Sequence, residues 1–232
     1  MSLRFNGDGA HLSRTTNLPS ITSWTMMGWF KISVDTNTNS LFWQFGHATN
    51  DEDYEVVTDI DGTTLRAYNG ITSTNGSLLT VGTWYHLAST VSGIGPDEYL
   101  VYLNGVLDIT MAGSAANTAE KLFVGSLAAA VIPLNGSAAA IKFYNAVLTP
   151  AEILNEMQFF VPVRTANLNT WLHCVDPASA NFGKDVSGNG FDMTVNGVPT
   201  FEDGPPISWK PIRRKRPLFF TAPRRWLFGA TH

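Results

Sequence analysis

The chain lacks most of the residues that staple a fold or mark a catalytic centre. Of its 232 residues one is cysteine, Cys174, so no internal disulfide can form and no cysteine cluster can hold zinc. His11, His47, His86, His173 and His232 do not stand at the spacing of metal ligands. No Gly-rich phosphate loop follows a strand and opens a helix, and no nucleophile motif announces a Ser/His/Asp triad. No apolar run reaches about 18 residues, so no membrane-spanning helix is expected. The N-terminus shows no basic stretch followed by an apolar one, and synthesis without a secretory leader, in the cytoplasm, is the expectation. The fold must hold by core packing, which a 44% apolar composition allows, with at most an oxygen-ligated ion to help.

Charge is scarce but unevenly placed. The formal net charge is −4. Residues 208–232 hold seven basic side chains (Lys210, Arg213, Arg214, Lys215, Arg216, Arg224 and Arg225) and no acid, leaving 1–207 with eight basic and 19 acidic residues and a net charge of −11. An acidic body with a basic tail points to an interaction segment. The division expected is a body at 1–207 and an arm at 208–232.

What is abundant is β-pattern. The clearest stretch is GTWYHLASTVSGIGPDEYLVYLNG at 82–105, two apolar runs free of proline around a Gly/Pro/Asp-rich link. It ends at Asn104-Gly105, a dipeptide that tolerates positive φ at both positions and favours tight hairpins. It reads as a long central hairpin of an antiparallel sheet. Seven Asn-Gly pairs, beginning at Asn6, Asn69, Asn75, Asn104, Asn135, Asn189 and Asn196, are read as turns. Short β-rich runs lie between them, at 25–33, 40–45, 54–59, 64–68, 121–124 and 138–144. Such spacing predicts an all-β sandwich or barrel. One short helix is signalled near 150–158. Thr149 is its N-cap, Pro150 its first residue and Glu152 the closing residue of a capping box, with Ile153, Leu154 and Met157 facing the sandwich. Further strands are expected at 170–174 and 198–201.

Several pieces together resemble a known family. LRFNGDGAHLS at 3–13, SWTMMGWFKIS at 23–33, GTWYHLAST at 82–90, YLVYLNGVL at 99–107, LNGSAAAIKFYNAVLTPAEI at 134–153 and VSGNGFDMTVNGVPTFEDGPP at 186–206 are similar to laminin-G-like (LamG type 3), concanavalin-A-like jelly-roll domains. The resemblance implies an antiparallel two-sheet sandwich with an extended C-terminal arm. In many family members the SGNG segment precedes the FNG segment. Here it follows the helix, an order that a sandwich with neighbouring termini tolerates. This order, with the DGPP ending and basic tail, looks like proteins of tailed bacteriophages. It implies a non-enzymatic virion protein on the outer surface of the particle, displaying a carbohydrate-binding or adhesion module to surface glycans. The alternatives are a purely structural capsid or tail subunit without glycan binding and, less favoured, a glycan hydrolase.

Four constellations could carry chemistry. Asp51, Asp53 and Glu55 share one face of a strand, as an acidic strand does in some concanavalin-like glucanases, where two carboxylates about 5–5.5 Å apart give retention. The bland reading is a solvated acidic loop. Calcium is the cofactor the resemblance implies, with Asp8, Asp185, Asn189 and Asp192 as candidate ligands, since carboxylates and amide oxygens suit a hard cation. The same residues also suit turns and loop caps. Trp43, Tyr54 and Tyr68 are candidate sugar-stacking residues, with burial in the core as the alternative. His86, within the central strand, reads as a half-buried, hydrogen-bonded residue. The tail carries Trp209, Arg213, Arg214, Lys215, Arg216, Phe219, Phe220, Arg224, Arg225 and Trp226. It reads as an anchoring arm to other virion proteins or copies of the same chain, in a homo-oligomer or larger assembly. Nucleic acid is the less favoured partner for these basic and aromatic clusters.

Overall fold

The computed structural model describes residues 1–15, 18, 22–34, 38–46, 54–114, 121–127, 132–174 and 182–208. Within them fifteen strands, β1 to β15 in chain order, and a single helix, α1 (Pro150–Glu156), build two antiparallel sheets face to face. The eight-stranded sheet runs β10 (Val106–Met111), β9 (Tyr99–Leu103), β8 (Trp84–Val91), β3 (Trp24–Ile32), β12 (Asn135–Tyr144), β1 (Ser2–Asn6) and β15 (Thr200–Glu202). Its eighth strand, β13 (Leu168–Leu172), pairs with the later half of β12, in line with β1. The seven-stranded sheet runs β14 (Thr194–Asn196), β2 (His11–Arg14), β11 (Lys121–Val124), β4 (Leu41–Gly46), β5 (Tyr54–Thr58), β6 (Thr64–Asn69) and β7 (Ser73–Leu78).

The central hairpin forms as its sequence predicts, with Val91 opposite Tyr99 and Leu87 opposite Leu103. Asn104 (φ 51°) and Gly105 (φ 80°) then turn β9 into β10. Two of the Asn-Gly pairs are not turns. Asn75-Gly76 lies inside β7 and Asn135-Gly136 opens β12. Glycine serves close approach at both: a Cβ on Gly76 would strike the Asp108 carboxylate, and one on Gly136 the Lys31 carbonyl.

One large core fills the space between the sheets, with Trp24, Trp43, Phe5, Phe30, Phe45, Tyr99 and Phe143 fully buried. Trp24 meets Phe45 at 4.6 Å and Tyr54 edge-on at 5.6 Å between ring centroids. Each such aromatic buries well over 100 Å², so these contacts dominate the packing. A second cluster lies on the outer face of the eight-stranded sheet, where Met27, Ala88, Tyr102 and Tyr144 receive Leu148 and Ile153 beneath the helix. That cover explains why β3, β8 and β12 are apolar on both faces.

The helix begins as its capping box dictates. Thr149 Oγ1 accepts from the Glu152 N–H, and Glu152 Oε2 accepts from the Thr149 N–H at 2.9 Å. Its buried face differs from the expectation: Ile153 is buried and Met157 half-buried, but Leu154 is 46% exposed. The second buried helical residue is Glu156, which points at Lys142 of β12. His86 likewise is buried rather than half-exposed, and its Nδ1 has no hydrogen-bond partner.

The first and last strands are neighbours. Ser2 stands opposite Glu202, and His11 opposite Asn196. The displaced SGNG-containing segment therefore completes both sheets beside the N-terminal strands, which is the geometry its unusual chain order requires.

Candidate functional site

Of the three candidate sugar-stacking residues, two are core. Trp43 and Tyr54 are 0% and 3% exposed, and face the opposite sheet. Strand alternation sends their neighbours outward: Tyr54 and Val56 point in, and Glu55 points out. Tyr68, half-buried on β6, is also turned outward, because Leu65 and Ala67 take the inner positions.

Register then assembles a row across the outer face of the seven-stranded sheet. Thr194 opposes Ser13, Ser13 opposes Phe123, and Phe123 opposes Gln44. Gln44 opposes Glu55, Glu55 opposes Tyr68, and Tyr68 opposes Ser73. At about 4.8 Å per strand the row spans roughly 29 Å. Its centre is polar: Gln44 Nε2 donates to Glu55 Oε1 at 2.9 Å, and the Tyr68 hydroxyl donates to the Gly70 carbonyl at 2.7 Å. Alongside runs a second outward set. Arg66 pairs with Asp59 at 3.3 Å, and Asn75 donates to the same carboxylate at 2.7 Å. The Asn75 hydrogen bond first, with Arg66 in support, holds the Asp59 carboxyl below its ordinary range. Leu127 and Ile132 pack over Leu41, Val57 and Phe123, covering part of the face. Gln44 is 6% exposed and its amide is engaged by Glu55, so the remaining surface presents a carboxylate, a phenol and a guanidinium on neighbouring strands.

Of the hydrolase candidates, Glu55 alone lies among the described residues, on β5. Asp51 and Asp53 lie outside the described residues.

Three of the four calcium candidates, Asp185, Asn189 and Asp192, share one loop, and Asp8 stands apart from it. Asp8 precedes β2 and accepts from the Ala10 N–H, whereas the Asp192 carbonyl accepts from Arg14 at the other end of β2, about 10 Å away. Asp185 is buried with its carboxylate filled by four donors: Trp171 N and Ser187 N at 2.9 Å, Ser187 Oγ at 2.8 Å and Phe191 N at 3.0 Å. Asn189 donates to the Leu168 and Asn169 carbonyls, and Asp192 Oδ1 accepts from the Asp185 N–H. This loop is a hydrogen-bonded cap on β13. A calcium ion asks for six to eight oxygens, and most of these are already engaged. Among the described residues no group of three or more His, Cys, Asp or Glu is placed to hold a metal, and no helix is long and apolar enough to cross a membrane. The tail residues from Trp209 to Trp226 lie outside the described residues.

Gln44 was not singled out by the sequence. Its signal was available in β4, where Trp43 and Phe45 flank it as inward residues, but its neighbours across the sheet follow only from register.

Comparison with known proteins agrees with this architecture. The Laminin_G_3 profile, described as the concanavalin A-like lectin/glucanases superfamily, matches residues 5–154. No curated protein sequence matches. Among solved structures, a presumed carbohydrate-binding protein from Bacteroides ovatus superposes with a TM-score of 0.68 at 14% identity, over 88% of this chain and 60% of that one. A heptameric SAP-like pentraxin from Limulus polyphemus gives 0.53 at 18% identity, over 66% of this chain and 79% of the pentraxin. A Trypanosoma rangeli sialidase bound to the inhibitor DANA gives 0.53 at 16% identity, over 66% of this chain but 26% of the sialidase. The chain thus spans about three fifths of the Bacteroides protein and about a quarter of the sialidase. At such identities the likeness is one of fold.

Proposed function

The chain belongs to the Laminin_G_3 family of the concanavalin A-like lectin/glucanases superfamily, and on that footing we propose that it is a non-enzymatic carbohydrate-binding module. The observation that carries the proposal is the outward pair Glu55 and Tyr68, flanked by Arg66, with the buried Gln44 amide holding the Glu55 carboxylate in place. Sugar recognition needs an aromatic face with a few directional polar groups beside it, and this face supplies both. The carbohydrate-binding designation of the Bacteroides protein, which shares the fold, supports the same reading.

The finer part of the proposal is display. The segment 208–232 attaches the acidic body to a larger assembly, a phage-type virion, through its seven basic side chains and its aromatics. Many displayed copies then give avidity from weak single sites. The experiment is a glycan array probed with the full chain in multivalent form, with calcium and with EDTA. Binding to a defined set of glycans is the expected result, and binding to none would leave a structural subunit as the better reading.

A further inference from the structure

The other sheet carries a cavity that the foregoing reading does not use. It lies on the outer face of the eight-stranded sheet, has a volume of about 390 Å³, and is lined by Trp29, Thr83, Trp84, Asn104, Met157 and Pro206. Trp29 pairs with His86 and Trp84 with Lys31 across β3 and β8, so the two indoles are diagonal neighbours on one face. Such neighbours stand about 7–8 Å apart, within reach of aromatic side chains. Behind them Ala139, Ala140, Phe160 and Ile207 close the apolar backing.

The two tryptophans are held differently. Trp29 Nε1 donates to the Met157 carbonyl at 3.1 Å and its ring meets the buried His86 edge-on at 5.6 Å. It is a fixed wall. Trp84 is half-buried, and Lys31 Nζ sits 5.2 Å from its ring centre while pairing with Glu202 at 2.5 Å. The Trp84 indole N–H has no partner among the described residues. The same is true of the Thr83 hydroxyl and of Asn104 Nδ2, since Asn104 Oδ1 is taken by the His86 N–H at 2.9 Å. Three unengaged polar groups thus ring an aromatic floor, and the one charge beside it, Lys31, is neutralised by Glu202.

We propose that this cavity binds one neutral pyranose residue, stacked on Trp84 and oriented by Thr83, Asn104 and the Trp84 N–H. Because Lys31 and Glu202 already satisfy each other, a phosphate or a basic peptide would bury charge without a free counter-charge. The aromatic floor suits the C–H face of a sugar, and the rim groups suit its hydroxyls. The volume sits at the small end of the range for ligand pockets, roughly 300–1,000 Å³, which fits a ring or two rather than a long chain. The site is on the opposite sheet from the Gln44–Tyr68 row and does not rest on it.

Saturation-transfer NMR tests this on the full chain, with millimolar methyl glycopyranosides of glucose, galactose, mannose and N-acetylglucosamine as probes. At least one should receive transfer. The Trp84→Ala variant should weaken its binding by about tenfold or more, and Ile94→Ser, an exposed position beyond the far end of β8, should leave it unchanged. Thr83→Val, at an exposed position that the fold does not need, should weaken it about threefold and serves if Trp84→Ala fails to fold. The proposal is overturned if no glycoside receives transfer, if Trp84→Ala and Thr83→Val bind as the unaltered protein does, or if a proline-rich peptide binds Trp84 and no glycoside does. Transfer lost in Tyr68→Ala but kept in Trp84→Ala would also overturn it, while supporting the row on the other sheet.

Discussion

Lys142 Nζ lies 2.7 Å from Glu156 Oε2, with both side chains at most 2% exposed. Lys142 also donates to the Glu156 and Phe159 carbonyls, at 2.9 and 2.8 Å, and Glu156 accepts from the Val163 N–H and the Arg164 N–H. The pair therefore joins β12, the helix end and the chain after it. Burial pushes the Lys142 ammonium below its usual pKa, and the Glu156 carboxylate works against that shift.

Breaking the pair from one side leaves a buried charge without its partner. Lys142→Met and Glu156→Ala should each cost on the order of 3–5 kcal/mol in urea-denaturation experiments. The double variant should cost less than the sum of the two, a coupling that a double-mutant cycle reads directly. Additive losses would mean the residues act separately.

His86 links the same region to pH. Burial chiefly, and the Lys142 charge in addition, lower its folded pKa to about 3 from an ordinary 6.5. Between those values the unfolded chain binds a proton that the folded chain does not, so its contribution to stability is present above pH 6.5 and is lost as pH falls toward 3. The slope for one proton approaches about 1.4 kcal/mol per pH unit. Urea midpoints measured from pH 7 to 4.5, above most carboxylate titrations, should fall, and should fall less in His86→Phe. Equal slopes in the two proteins would remove His86 as the cause.

Asp185 gives the third prediction. Because its carboxylate is filled by four protein donors, its role is structural. Asp185→Ala should lower stability by about 2–4 kcal/mol, the loss of several charge-assisted hydrogen bonds. EDTA should leave the denaturation midpoint of the unaltered protein in place. A midpoint that drops with EDTA and recovers with calcium would show that an ion, rather than the donors seen here, holds the loop.

The contrast among Trp43, Tyr54 and Tyr68 shows where the sequence stops being readable. The fold class, the hairpin at 82–105 and the capping box at Thr149 follow from local chemistry, and local chemistry is what a sequence displays. Alternation within β5 separates Tyr54 from Glu55, so it could have placed Tyr54 in the core. The row from Gln44 to Tyr68 needs the pairing of three strands, and register depends on partners distant in sequence. Trp29 and Trp84 were hidden for a different reason. Their strands are apolar on both faces because the helix and the 205–208 segment cover the outer one, so no alternation marks which indole faces a cavity. Glu156 was missed because a helical carboxylate reads as solvent-facing unless its buried lysine partner is known.

The central claim is that the Gln44–Glu55–Tyr68 face binds glycan, and the most direct measurement is an NMR titration with the strongest glycan from the array. It compares the unaltered full chain with Tyr68→Ala and Glu55→Gln. The account predicts that the unaltered protein binds, that Tyr68→Ala loses about tenfold or more of the affinity, and that Glu55→Gln loses about three- to tenfold with the fold intact. Equal affinity in all three proteins would contradict it.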